Sequence, residues 1–269
     1  MSAGIVTVTR GSSPLILSMP HPGTGVPPEV AAQLNARGKL VEDTDWHMRQ
    51  LYSFAAPFQP TIVEAQLSRF VIDLNRDPAG VSLYPGQATT ELVPATTFDG
   101  APIWQTTPDA TEIERRKAAY FQPYHTALAN EIERVKAEHG YCVLWDCHSI
   151  KSVIPRLFPG TLPTLNLGTN SGQSCAPGVE AAAVTAMAGH PFTQIVNGRF
   201  KGGWITRHYG RPSSQVHALQ MEIALSAYLA DENAPWTFDA PKAAALQTAL
   251  SAIIAAALDA AKQLERSRS

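Results

Sequence analysis

Apolar residues follow two rhythms along this chain. Short, mainly apolar runs at Leu15–Met19, 61–66, 141–149, 192–196 and 215–224 are rich in β-favouring residues and carry their polar residues mostly toward the end. That pattern predicts buried strands of a largely parallel sheet, with a further short strand in TLNLGT, 164–169. Phe70, Ile72 and Leu74 alternate with Val71 and Asp73, predicting an extended segment that ends at Asn75 and Arg76. The helical rhythm appears in 111–139, where Ile113, Tyr120, Leu128, Ile132 and Val135 share a face and Pro123 predicts a kink or break. An alanine-rich helix is expected over 177–187 and a covering helix over 241–264. Asp43 is the expected N-cap of a helix through WHMRQLYSFA, with Asp45 in its first turn and His47 on the surface.

Between these elements, 82–107 is rich in Pro, Gly and Thr. It reads as a long ordered loop carrying a β-hairpin and framing a pocket. With no internal repeat and no dividing linker, the 269 residues are expected to form one α/β domain, 1–269. A hydrophobic fraction of 45% and a charged fraction of 16% suit a globular chain with a large core. The net charge of −2 gives no basic footprint for nucleic acid and no polybasic patch for a membrane surface, so a small-molecule partner is expected. No unbroken apolar run approaches the ~18 residues of a membrane span, and the N-terminus lacks the pattern of a secretory signal. Cys142, Cys147 and Cys175 are odd in number and form no zinc-ribbon or CxxC spacing, which argues against a disulfide framework and for a reducing cytoplasm; a monomer or small homo-oligomer is expected.

Chemistry gathers at the ends of the expected strands. His21 follows one, in PHPG, and Asp146, Cys147, His148 and Ser149 end another. In open α/β sheets the carboxyl ends of strands are where ligands bind. A catalytic zinc site takes three ligands from His, Asp or Glu and keeps one position open, and His21 and His148 with Asp45 or Asp146 can provide them. Asp146 can instead orient His148 as an outer carboxylate, and His148 can be a core histidine hydrogen-bonded to Asp146. Arg76, beside Asn75, has the fork geometry for a carboxylate, unless it pairs with Asp73 or Asp77. Arg69 can serve the same anion or polarise a carbonyl. The basic loop NGRFKGGWITRHYG contributes Arg199 and Arg207 and fits no phosphate-binding motif. Glu222, in the apolar run QMEIA, is a candidate general base of raised pKa. Ser149 is not in a G-x-S-x-G elbow, which disfavours a serine nucleophile.

Taken in order, PHPGTGVP, DTDWH, SRFVIDLNRDP, SLYPGQ, DCHSI, LFPGTLPTLNLGT, NGRFKGGWITRHYG and HALQMEIA resemble the motifs of N-formylglutamate deformylases, over nearly the whole chain. The resemblance implies a fold like that of zinc carboxypeptidases and aspartoacylases: a single-domain, three-layer α/β/α sandwich with a mixed central sheet, phosphorylase/hydrolase-like. It further implies His21 and His148 as metal ligands, Asn75 and Arg76 as the carboxylate-binding pair and Glu222 as the base. The relatives' HxxE acid would fall at Thr24, so the acidic ligand moves to Asp45, with Asp43 as the alternative. The implied reaction is metal-dependent hydrolysis of N-formyl-L-glutamate, in histidine degradation, with Zn2+ or another divalent metal such as iron, cobalt or manganese. A dicarboxylate substrate needs two anion sites, Arg76 with Asn75 being one and Arg199 or Arg207 the other, while Arg69 stabilises the oxyanion. The rival readings are a zinc amidohydrolase for another N-acyl amino acid or small peptide, and a non-catalytic binder of acidic metabolites.

Overall fold

The computed structural model describes residues 4–267. Its strands are β1 Val6–Thr9, β2 Leu15–Met19, β3 Thr61–Ala65, β4 Cys142–Ile150, β5 Leu165–Gly168, β6 Gln194–Val196 and β7 Val216–Ala224. Its α-helices are α1 Pro28–Ala31, α2 Met48–Leu51, α3 Ala110–Arg116, α4 Gln122–His139, α5 Pro177–Ala188, α6 Trp204–Tyr209 and α7 Ala240–Arg266. All seven strands form one sheet in the order β1-β3-β2-β4-β7-β5-β6. The central run β3-β2-β4-β7 is parallel, β1 joins β3 antiparallel, and β5 joins β7 antiparallel and pairs parallel with β6. The sheet is therefore mixed, with helices on both faces.

Side-chain parity on the central strands organises the molecule, because successive residues point to opposite faces. Odd positions such as Leu17, Val143, Trp145, Leu219 and Met221 share an apolar cluster with Val179 and Ala183 of α5 and Leu250, Ile253 and Ala257 of α7. Even positions Ile16, Cys142, Leu144 and Ala218 meet Tyr124, Leu128, Ile132 and Val135 of α4. Burial on both faces is why the first halves of these strands read as near-continuous apolar runs. Where α4 begins, the even face changes character. The Tyr124 hydroxyl lies 3.0 Å from Ser18 Oγ, and beyond it Asp146, His148, Gln220 and Glu222 continue the even positions, all buried. One face of β4 and β7 is thus apolar at its start and polar at its carboxyl end.

Several expectations need correction. The extended segment at Phe70–Leu74 is a buried turn: Val71 N bonds Ser68 O at 2.9 Å, and both parities are covered, so the alternation does not mark two faces. Asp43 caps no helix. The helix starts later, at Met48, after His47 in the left-handed region (φ 55°), and the Asp43 carboxylate instead accepts from Phe98 N at 2.8 Å. Asp45 accordingly precedes that helix and is buried. Pro123 does not break its helix, because a π-helical turn, Lys117–Phe121, just before it absorbs the missing backbone donor and the chain stays helical from α3 into α4. The loop over 82–107 forms no regular strands, and its hairpin is reduced to one antiparallel bridge, Thr96 to Pro102, flanked by Thr97 N to Ala101 O at 2.9 Å and Ile103 N to Ala95 O at 3.2 Å. β1 escaped prediction because its alternation, VTVT, is only four residues long, and three of the four are exposed. By mean hydropathy (1.6 over an 18-residue window) α7 is long and apolar enough to cross a membrane. Gln247, Thr248 and Ser251 interrupt its apolar runs in the sequence, and its stripe of Leu246, Leu250, Ile253, Ile254 and Ala257 is buried in the core.

Candidate active site

The turn after β2, the segment preceding α2 and the end of β4 deliver His21, Asp45 and His148 to one point, where a ligand atom from each lies within 4.8 Å of the others. His21 Nδ1 and His148 Nδ1 are 3.2 Å apart, and Asp45 Oδ2 is 3.1 Å from His148 Nδ1 and 3.8 Å from His21 Nδ1. The outer nitrogens are each tied to a carboxylate: His21 Nε2 donates to Asp73 Oδ1 at 2.8 Å, and His148 Nε2 to Asp146 Oδ2 at 3.0 Å. These outer bonds fix the tautomer in which Nδ1 faces inward, the arrangement that supports metal-ligating imidazoles. Asp146 is held in turn by Ser18 Oγ at 2.9 Å.

Charge supports the same reading. Burial, helped by the Arg69 guanidinium, lowers the His21 pKa to about 4, so this ring is neutral. Burial opposes charge on His148 as well, but Asp146 and Asp45 outweigh it and hold its pKa well above the usual value, so a cation competes with a proton at its Nδ1. Asp45 Oδ1 is buried without a hydrogen-bond partner. Two inward imidazole nitrogens, a carboxylate with an unpaired buried oxygen and an Nδ1–Nδ1 separation of 3.2 Å fit a tetrahedral divalent ion, for which bonds of ~2.0–2.1 Å give ligand separations of about 3.3 Å.

Glu222 stands beside this cluster because β4 and β7 pair His148 with Glu222 in register. Burial raises its pKa to about 7, and Gln220 Nε2 donates to it at 3.2 Å. A cavity opens here, lined by His21, Arg69, His148 and Glu222 on its inner side and by Arg76, Tyr84, Arg199 and Phe200 on its outer side. Arg69 is buried, with Nη2 2.6 Å from His21 Nδ1 and 3.4 Å from Asp73 Oδ2 and its guanidinium 4.8 Å over the Phe98 ring.

Residues 13–229 match the profile of the N-formylglutamate amidohydrolase family. The chain is also 45% identical over 254 residues to the N-formylglutamate deformylase of Pseudomonas aeruginosa PAO1, covering 93% of this chain and 94% of that protein. The chain belongs to the N-formylglutamate amidohydrolase family. A second relative, the N-formylglutamate deformylase of Pseudomonas putida, is 42% identical over 258 residues, with 94% and 96% of the two chains covered. The crystal structure of N-formylglutamate amidohydrolase from Ralstonia eutropha JMP134 superposes with a TM-score of 0.78 at 25% identity, over 98% of this chain and 99% of that one. A gene product of Agrobacterium tumefaciens shares the fold, with a TM-score of 0.70 at 18% identity and 96% of each chain covered.

Within this member of the N-formylglutamate amidohydrolase family the structure brings together His21, Asp45, His148, Arg69, Asn75, Arg76, Arg199 and Glu222 at one cavity or its floor. Asn75 is committed to the protein: its Oδ1 accepts from Ile205 N at 2.8 Å, and its Nδ2, beside His148, donates to Asp146 Oδ2 at 3.3 Å and Gln220 Oε1 at 3.4 Å. Arg207 is not brought to the cavity. Its Nε donates to Gly202 O at 2.8 Å and its guanidinium sits 5.0 Å over the Tyr84 ring. Asp43 lies beneath Arg69, with its carbonyl 3.4 Å from Arg69 Nη1, outside the ligand cluster. Ser149 points to the odd face and bonds the Tyr228 hydroxyl at 2.8 Å. Sequence reasoning missed Asp73 and Gln220. Asp73 lies in VIDL, an acid in an apolar run, and the argument that singled out Glu222 applies to it equally. Gln220 shares the parity of Glu222.

Proposed function

We propose that the protein is a metal-dependent hydrolase that cleaves N-formyl-L-glutamate to formate and L-glutamate. The observation that carries this reading is the convergence of two inward-facing histidine nitrogens and Asp45 beside a buried Glu222, in a chain 45% identical to an N-formylglutamate deformylase. Zn2+, or another divalent ion, held by His21, Asp45 and His148 would supply a Lewis acid that makes water nucleophilic near neutral pH and withdraws electron density from the formyl carbonyl. Glu222 is placed to take the proton of the attacking water and return it to the amide nitrogen as the C–N bond breaks, so that the amine leaves protonated. Arg69 offers N–H donors to the oxygen on which charge develops, and Asp73 and Phe98 hold it in place. Arg76 and Arg199 line the outer side of the cavity, where cationic forks suit the two carboxylates of the substrate. Phe98, Ile150, Leu157 and Phe200 complete the wall and limit water around the reacting groups. The reading extends to histidine degradation as the pathway and to the cytoplasm, the latter supported by free, buried Cys142, Cys147 and Cys175.

Release of the free amino acid, with formate or acetate as its partner product, measured across N-formyl and N-acetyl derivatives of glutamate, glutamine and aspartate, before and after chelator treatment, tests the reading. N-Formylglutamate should be the preferred substrate and its turnover should depend on metal. A preference for an N-acetyl compound, or full activity after chelation with no metal detected, would overturn it.

A further inference from the structure

Arg199 and Arg76 both reach the cavity, yet neither arrives as half of a close pair with an acid. Arg199 donates to two carbonyls, Leu157 O at 2.8 Å and Ala88 O at 2.7 Å, and among the described residues no carboxylate lies within ion-pair distance of it. Arg76 is held mainly by Thr90, through the carbonyl at 3.0 Å and the hydroxyl at 3.1 Å, with Asp73 Oδ2 at a loose 3.8 Å. Burial and the charge of Arg76 both make the Arg199 cation harder to keep. The strap 82–90 therefore furnishes an acceptor to each guanidinium, Ala88 O to Arg199 and Thr90 to Arg76, and Tyr84 fastens that strap. Its hydroxyl donates to Gly202 O at 3.0 Å and accepts from Lys201 N at 3.1 Å. Its ring packs against two cations, Arg199 at 5.2 Å and Arg207 at 5.0 Å.

We propose that Tyr84 is the positioning residue of this cavity, its ring holding the Arg199 guanidinium ready for the substrate's side-chain carboxylate and so selecting a dicarboxylate over its mono-amide. A ring braced at its hydroxyl by backbone groups of the 201–202 turn cannot swing away. Arg199 is thereby ordered before substrate arrives, which reduces the entropy lost on binding. Arg207, outside the cavity, adds a second cation to the same ring and shares Gly202 O with the Tyr84 hydroxyl, so it braces the ring. The proposal rests on the hydrolase reading for the identity of the substrate alone.

Calorimetric binding of glutarate and of its mono-amide tests the device without requiring turnover, and kinetics with N-formylglutamate and N-formylglutamine test it during reaction. Tyr84→Ala should weaken glutarate binding and raise KM for N-formylglutamate by roughly tenfold, the size of a partly desolvated cation–π contact. In the same variant kcat should move by less than about threefold, and so should mono-amide affinity. Tyr84→Phe keeps the ring but loses both hydroxyl bonds, so its selectivity should fall between that of the parent and that of Tyr84→Ala. Tyr84→Leu keeps bulk without a π face and should behave like Tyr84→Ala, which covers the case of an alanine variant that folds poorly. Equal losses for glutarate and mono-amide, unchanged glutarate affinity in the leucine variant, or a phenylalanine variant as impaired as the alanine one would each overturn the proposal. A parent protein that binds glutarate selectively but releases no formate from N-formylglutamate would remove the substrate assignment while leaving the role of Tyr84 supported.

Discussion

His21 and His148 are alike in donating Nε2–H to a buried carboxylate, Asp73 for one and Asp146 for the other, and turning Nδ1 toward each other. Asp73→Asn keeps shape and removes charge, so metal affinity measured by competition with a chelator should fall by about 10–100-fold; affinity equal to the parent's would show that Asp73 matters only for packing. Glu222→Gln should keep its metal and lose on the order of 10²–10⁴ in kcat, the range for a positioned proton acceptor. Loss of metal in that variant would make Glu222 a ligand, and parental turnover would remove it from proton transfer. At this scale the sequence was most readable where a polar residue ends an apolar run, as at His148. It was least readable where partners come from far away: the carboxylate of His21 lies at Asp73, which alternation had assigned to a strand that does not form.

Elements place these residues through close approaches as well as through strands. The turn entering α6 passes so near Asn75 that a Cβ on Gly203 would lie 2.3 Å from Asn75 Nδ2, and Gly203 N itself donates to Gln220 Oε1 at 2.7 Å. Gly203→Ala should displace Asn75 from His148 and Asp146, lowering kcat by at least about tenfold with a smaller change in KM; a fully active alanine variant would show that Asn75 can yield without cost. α7 offers the contrasting case. Leu250 is fully buried against the opposite face of the sheet, so Leu250→Ala should cost about 2–5 kcal/mol of stability in denaturant unfolding. Its kcat in native buffer should stay near that of the parent, and a large fall would mean that the helix layer reaches the reacting groups. The strands and long helices were legible because packing on both faces or along one stripe leaves a strong rhythm. The segment 82–107 was legible as a loop that frames the cavity, through Tyr84, Thr90 and Phe98, but neither its shape nor the turn at 68–75 was, since these are set by hydrogen bonds from distant elements, such as Asp73 N to Leu92 O at 2.7 Å.

Across the whole molecule, three separate segments of chain meet at the His21–Asp45–His148 cluster. A cation bound there cross-links them, and a ligand that binds the folded state alone at 100 times its Kd adds about 2.7 kcal/mol of stability. Chelation should therefore lower both Tm and formate release, and added Zn2+ should restore the two together; restored activity with an unmoved Tm would place the functional metal elsewhere. Strand order was outside the reach of pattern reading, because the antiparallel insertion of β5 beside β7 depends on long-range pairing that a short apolar run does not encode. Parallel pairing of β4 with β7 sets His148 against Glu222 in the middle of that sheet. A slip of one residue in either strand would carry its group to the other face, so no small rearrangement can alter their spacing. Deuterium should consequently enter the β4 and β7 amides only through global opening, and the exposed strap 82–90 on a far shorter timescale. The side chains proposed to do the chemistry, His148 and Glu222, therefore ride on the part of the chain expected to open last.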